Sequence, residues 1–196
     1  MNPGISSLIG LKAAALFSLF LFLRFLGFRL LSFQFLYASL VSLLISVASL
    51  PSINLPLLLG KKPDGTFPIW SIVIFAPFLL FIRYLPSFRG LYLREDPYTE
   101  ISEGLYVGGW PTSPDRLPPC NPAIVDCTCE LPRCLDVSGD GYLCIPTWDT
   151  RSPLPEEIES AVRWICRKRE QKKPVFIHCA YGKLSSFTDL LKSFDS

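Results

Sequence analysis

Residues 30–50 form a run of twenty-one residues without a single charge. A stretch that long and apolar either crosses a bilayer or lies wholly inside a large core, because a helix built from it has no polar face to leave in water. The chain has 196 residues and 49% hydrophobic content, and its apolar residues are not spread evenly enough to build such a core. A run over 8–28, broken by Lys12 and Arg24, comes before it, and a run over 67–85, broken by Ser71 and Arg83, comes after it. The pattern predicts a membrane anchor over residues 1–85 with two or three transmembrane α-helices.

The second run has a further regularity. Ser32, Ser39, Ser42, Ser46 and Ser49 are spaced 7, 3, 4 and 3 apart, which places five small polar side chains on one helical stripe and predicts close packing against another helix. Pro77 is expected to kink the third run, which carries Trp70 and Tyr84 near its edges. Lys12, Arg24 and Arg29 make the first run the weakest of the spans, and it has the alternative of lying in the interface. It extends too far for the apolar region of a cleaved signal, so these segments are read as retained anchors.

Charge divides the chain in two. Through Glu95 there are eight basic residues against two acidic ones, and beyond it eleven against fifteen, so a net +2 joins a basic half at +6 to an acidic half at −4. That balance argues against a nucleic-acid partner. With three spans, Arg24, Arg29, Arg83, Arg89 and Arg94 fall on one face and Lys61 and Lys62 on the other, and the positive-inside rule then puts the C-terminal half in the cytosol as part of a multi-pass membrane protein. All seven cysteines lie in that half, at irregular spacing, which fits a reducing compartment. Cys127, Cys129, Cys134 and Cys144 lack paired C-x2-C spacing, so no metal is expected and they are read as structural thiols.

After a linker over 86–100, the second half alternates short apolar strands with one clear helix. Strands are expected at 105–107, 123–126, 142–145 and 174–177, and a helix at 153–171, where Pro155, Glu156 and Glu157 suit the first turn and Arg167, Lys168 and Arg169 the last. Ile158, Ala161, Val162 and Ile165 give that helix one face to bury, and the basic run over 163–173 is read as its solvated end. Short, non-alternating strands of this kind suit an α/β fold with a parallel or mixed sheet.

The last strand runs into His178, Cys179, Ala180, Tyr181, Gly182, Lys183, Leu184, Ser185 and Ser186. His178 is the only histidine of the chain. Over residues 101–186 the chain resembles the dual-specificity branch of the cysteine-dependent protein tyrosine phosphatases, whose signature H-C-x-x-G-x-x-R-[S/T] is matched in register by His178, Cys179, Gly182 and Ser186. Asp149, thirty residues before Cys179, stands where the family keeps its general acid. The resemblance implies a partial dual-specificity-phosphatase-like α/β domain over 101–196 that needs no cofactor. It implies Cys179 as a nucleophile that becomes a thiophosphate, Asp149 as general acid and base, and residues 180–183, 185 and 186 as the phosphate cradle. Ser186 eases departure of the thiolate, and His178 supports the loop.

Two departures accompany the match. The signature arginine, whose planar fork binds two phosphate oxygens, is replaced by Ser185, and Lys183 and Arg151 are the charges closest in sequence that could stand in. Only seventeen residues follow Cys179, too few for the helices that back the loop in the family, so a truncated product is expected. The resulting expectation is a membrane-anchored phosphatase acting on phosphoproteins, impaired in this form. The alternatives are a phosphatase acting on phospholipid at the bilayer surface, and a catalytically dead membrane protein that binds phosphorylated partners.

Overall fold

The structure, a computed structural model, describes residues 5–93, 96–133, 141–149 and 151–182, with the side chains of 85–93 excepted. The chain begins with an antiparallel hairpin of two helices, α1 (Ile5–Phe25) and α2 (Arg29–Ala48), joined by a turn in which Gly27 adopts φ 86°. Both are long and apolar enough to cross a membrane. Their outward side chains, including Leu11, Phe25 and Leu30, are exposed.

The serine stripe of α2 faces α1. Ser39 Oγ donates to Ala13 O at 2.8 Å and Ser46 Oγ to Ser6 O at 2.7 Å, across the helix pair. A Cβ at Gly10 would come within 3.0 Å of Ser46 Oγ, so a glycine there lets the helices approach. Ser32, Ser42 and Ser49 are also buried, with their hydroxyls on carbonyls of their own helix.

The third apolar run is not one helix. It splits at Phe75 into α3 (Ile69–Ile74) and α4 (Ala76–Leu93). Pro77 has no N–H to offer Val73 O, four residues back, and the helix cannot continue through it unbroken. Tyr37 Oη on α2 supplies the missing proton, donating to Val73 O at 2.7 Å and to Ile74 O at 2.8 Å. Neither α3 nor α4 combines the length and apolarity of α1 and α2, so the described residues hold two candidate spans rather than three. α4 also continues to Leu93, into the stretch expected as a linker.

Five strands follow: β1 (Tyr98–Ser102), β2 (Leu105–Gly109), β3 (Ala123–Asp126), β4 (Tyr142–Cys144) and β5 (Val175–Cys179), with α5 (Pro155–Glu170) between the last two. They form a mixed sheet in the order β1-β2-β5-β3-β4, with β1 antiparallel at one edge and the other four parallel. β2 to β5 lie where the sequence pattern puts them. β1 was not foreseen, because Thr99, Glu100 and Ser102 give it a polar composition that only an edge strand tolerates.

α5 packs Ala161, Val162 and Ile165 onto one sheet face, against Val125, Ile177 and Cys179 among others. Glu157 Oε2 accepts from Leu154 N at 2.9 Å and closes its first turn. The basic end of α5 is not wholly solvated. Lys168 is buried with its ammonium 5.4 Å from the Trp164 ring, and Arg169 Nη2 donates to Ser102 Oγ at 3.0 Å, so part of the run is used in packing.

The four parallel strands end on one edge of the sheet, and the N-terminal half docks there. Ile45, Phe78 and Leu79 from the helices share a buried cluster with Leu131, Trp148 and Ala180 from the loops that follow the strands. Phe78 and Trp148 meet edge to face with centroids 6.5 Å apart. The connection between α2 and α3 is fastened to the same edge: Arg133 N donates to Gly65 O at 3.0 Å, and Lys61 enters the sheet's polar interior. The placement of Lys61 and Lys62 across a membrane from the C-terminal half is therefore corrected. Their connection lies against the sheet, and the hairpin both starts and ends on that side.

Candidate active site at the carboxyl edge of the sheet

β5 occupies the middle of the sheet, between β2 and β3, and is buried along its whole length. Cys179 is its last residue, 7% exposed, with its side chain in the cluster under α5. The chain then turns sharply. Tyr181 bridges back to Gly109 at the end of β2, and Gly182 takes φ 74°. A Cβ at Gly182 would lie 3.1 Å from Gly109 N and 3.2 Å from Gly108 C, so both the backbone angle and the close approach call for glycine. Lys183, Ser185 and Ser186 lie outside the described residues.

Asp149 is in the turn that follows Trp148, in the loop leading from β4 to α5. Trp148 and Ala180, the immediate neighbours of Asp149 and Cys179, belong to one buried cluster, so the two loops lie side by side. The far end of the Asp149 loop is tied to the helix hairpin. Arg151 Nη2 donates to Ser49 O at 3.3 Å, at the C-terminal end of α2, where a cation suits the helix dipole. Arg151, one of the two charges closest in sequence to the missing arginine, is thus engaged by its guanidinium at the end of α2. Beside this loop a cleft of about 220 Å³ opens between Leu55, Pro56 and Leu57 on one side and Thr147, Pro153 and Glu157 on the other.

The densest polar cluster among the described residues was not singled out from the sequence. Asp126, the last residue of β3, is fully buried with both carboxylate oxygens engaged. Lys61 Nζ donates to Oδ2 at 2.7 Å, Tyr142 Oη donates to the same oxygen, and Thr128 N and Oγ1 donate to Oδ1 at 2.9 and 2.7 Å. Lys61 also donates to Thr128 O at 2.8 Å and to Thr128 Oγ1 at 3.1 Å. Burial pulls the Asp126 carboxyl up, but Lys61 foremost outweighs it and the net shift is down. Burial opposes the Lys61 charge, yet Asp126 holds that ammonium above its ordinary range.

His178, on the neighbouring strand, sits opposite Asp126 in register, with Nε2 3.9 Å from Asp126 Oδ1. Its Nδ1 has no hydrogen-bond partner, and burial lowers its pKa more than Asp126 raises it. A second buried carboxyl, Glu130, lies four residues past Asp126. Its Oε2 accepts from Cys129 N at 3.1 Å and from Cys129 Sγ at 3.2 Å, while Oε1 is buried without a partner. Burial, reinforced by the charge of Asp149, pushes Glu130 to about 7. Burial also pushes the thiols of Cys127 and Cys129 well above their ordinary range and that of Cys144 to about 11, which disfavours their thiolates, and Cys134 lies outside the described residues.

No family model, curated protein or solved structure matches the chain.

Proposed function

We propose that the chain is a membrane-anchored, cysteine-dependent phosphatase of the dual-specificity type, impaired in this form and acting on phosphoprotein. The observation that carries the reading is the placement of Cys179. It ends the central strand of a largely parallel sheet, at the carboxyl edge where open α/β sheets bind ligands, and it leads directly into the Gly182 turn. The Asp149 loop is packed beside it through Trp148 and Ala180.

In this reading the Cys179 thiolate attacks phosphorus and forms an S–P bond as the P–O bond to the leaving group breaks. Asp149 gives its proton to the departing oxygen, then takes one from the water that hydrolyses the thiophosphate and regenerates the thiolate. Ser185 offers one neutral hydroxyl in place of a bidentate cation. Losing one preorganised donor costs about 2.7–4 kcal/mol, or roughly 10²–10³ in rate, and a lost bidentate charge costs at least that.

α1 and α2 serve as the anchor. Lys61 and Lys62 in the α2–α3 connection and Arg83, 6.0 Å from the Phe67 ring, lie toward the sheet, against Arg24 and Arg29 at the opposite turn, a bias that favours the cytosol for the sheet. One observation favours phospholipid as a second substrate reading: the helices pack directly on the edge that bears Cys179.

The test is hydrolysis of an aryl phosphate by the chain purified in detergent, with Cys179→Ser as control. The expected result is slow turnover that depends on Cys179 and rises roughly 10²–10³-fold in Ser185→Arg. Equal rates for all three proteins would remove the enzyme reading and leave a binding role. Faster release of phosphate from a phosphorylated lipid in vesicles than from a phosphopeptide would move the substrate to the bilayer.

A further inference from the structure

Lys61 belongs to the connection between α2 and α3, yet its ammonium lies inside the sheet's polar interior, fully removed from solvent. Three oxygens of β3 and the loop after it receive it, those of Asp126 Oδ2, Thr128 O and Thr128 Oγ1. The strand facing this cluster is β5, and the residue opposite Asp126 is His178, directly before Cys179. His178 Nε2 is 3.9 Å from Asp126 Oδ1, so Asp126 has two candidate cations within reach, one from the α2–α3 connection and one from the strand that bears the thiol.

We propose that Lys61 is a positioning residue for the Cys179 strand end: by occupying Asp126 it leaves the only imidazole of the chain uncharged and keeps β5 free of an ion pair to β3. The inference rests on the phosphatase reading only for the use made of Cys179.

The physical basis is competition for one buried carboxylate. A buried anion must be compensated, and removing its cation leaves either an unpaired charge or a proton drawn onto the closest base. Tyr142 and Thr128 only donate neutral hydrogen bonds to Asp126. Cys127 and Cys144, the other titratable groups around the carboxylate, hold their protons because they are buried. The only other carboxyl acting on Lys61 from that loop is Glu130, itself pushed to about 7. His178 is thus the group left to take up the charge. With Lys61 in place, a second cation beside it is disfavoured, and the imidazole stays neutral between Asp126 and the backbone of Cys179.

A single histidine makes the test direct, because one labelled imidazole reports without assignment. The full chain in detergent, with ¹³C-labelled histidine, is titrated by NMR from pH 5 to 8. In the wild type the His178 midpoint should lie below the ordinary value of about 6.5. Lys61→Met should raise it by about one to three pH units, Lys61→Arg should leave it where the wild type has it, and Lys61→Met with Asp126→Asn should bring it back down. Lys61→Gln, which retains a hydrogen bond to Asp126, carries the same expectation if the methionine variant does not fold. A wild-type midpoint at or above 6.5 overturns the proposal by itself. So does an unchanged midpoint in a folded Lys61→Met or Lys61→Gln protein, or a double variant that titrates as high as the single. None of these readouts involves hydrolysis, so a chain without phosphatase activity and a failed role for Lys61 give different results.

Discussion

Asp126 and Glu130 are four residues apart, on the end of one strand and the loop that leaves it, and both are fully buried. Their chemistry diverges. Asp126 has both oxygens filled and a lysine against it, and its carboxyl is held below the usual range. Glu130 has one oxygen filled by Cys129, one left over and Asp149 as its charged neighbour, and it is pushed to about 7. Burial is common to both, so burial does not decide the outcome. The partner decides, and for Asp126 that partner comes from the connection between α2 and α3 rather than from the sheet. The first corner is closed, and the second keeps spare hydrogen-bonding capacity beside the Asp149 loop.

The largest expected effect comes from opening the closed corner. Lys61→Met leaves a buried carboxylate without its cation and should destabilise the protein by about 3–5 kcal/mol, whereas pairing it with Asp126→Asn should restore most of the loss. Denaturation of the detergent-solubilised proteins, followed by tryptophan fluorescence, measures both. A loss under about 1 kcal/mol for the single variant would mean that the corner is not closed.

Phe78→Ala acts on the other corner, where the ring packs edge-on to Trp148. It should cost about 3 kcal/mol through the cavity it leaves. Water admitted there should also shrink the pH response of Glu130.

Glu130→Gln should stabilise the protein at pH 8, by about 1–3 kcal/mol, and change little at pH 5. The sign follows from proton binding. The folded state keeps the Glu130 proton up to about 7, well above the ordinary glutamate value of 4.5 that applies to the unfolded chain. The stability this contributes is present below about 4.5 and lost as pH rises through 7. Thermal unfolding at the two pH values checks it, and a gain at pH 5 equal to that at pH 8 would remove the distinction between the two carboxyls.

Ser39→Ala, far from both corners, sets the scale for an ordinary polar contact. Loss of its bond to Ala13 O should cost about 0.6 kcal/mol, measured in the same denaturation series.

What could be read from the sequence was whatever depended on local pattern. Apolar runs located α1 and α2, serine spacing located the face between them, and short apolar stretches located β2 to β5. His178, Cys179 and Gly182 fell at a strand end and turn as their spacing implied, and Pro77 broke its helix through a missing N–H. Long-range partners were not legible. Lys61 reads as a surface charge on a connection, and its role depends on a carboxylate 65 residues away. An available signal was Asp126 itself, the one charge in the otherwise apolar Ala123-Ile124-Val125-Asp126 strand, which must be answered by something once the strand is buried. The third run misled for a related reason. Hydropathy reports how apolar a stretch is, whereas its end in two helices depended on the N–H that Pro77 lacks for Val73 O, a carbonyl to which Tyr37 Oη donates instead.

The 65-residue separation between Lys61 and Asp126 also sets an order of assembly. A chain made from its N-terminus presents the hairpin and Lys61 long before β3 exists, and β5 is the last of the described strands to be made. The contacts within α1 and α2 are local and form fast, while the sheet, with its distant pairings, forms slowly. Lys61 is then a docking point already in place when Asp126 arrives, and the sheet closes onto a finished template. A fragment starting at β1 would have to fold with that carboxylate unanswered, which predicts that the second half depends on the first for its folding as well as for its position.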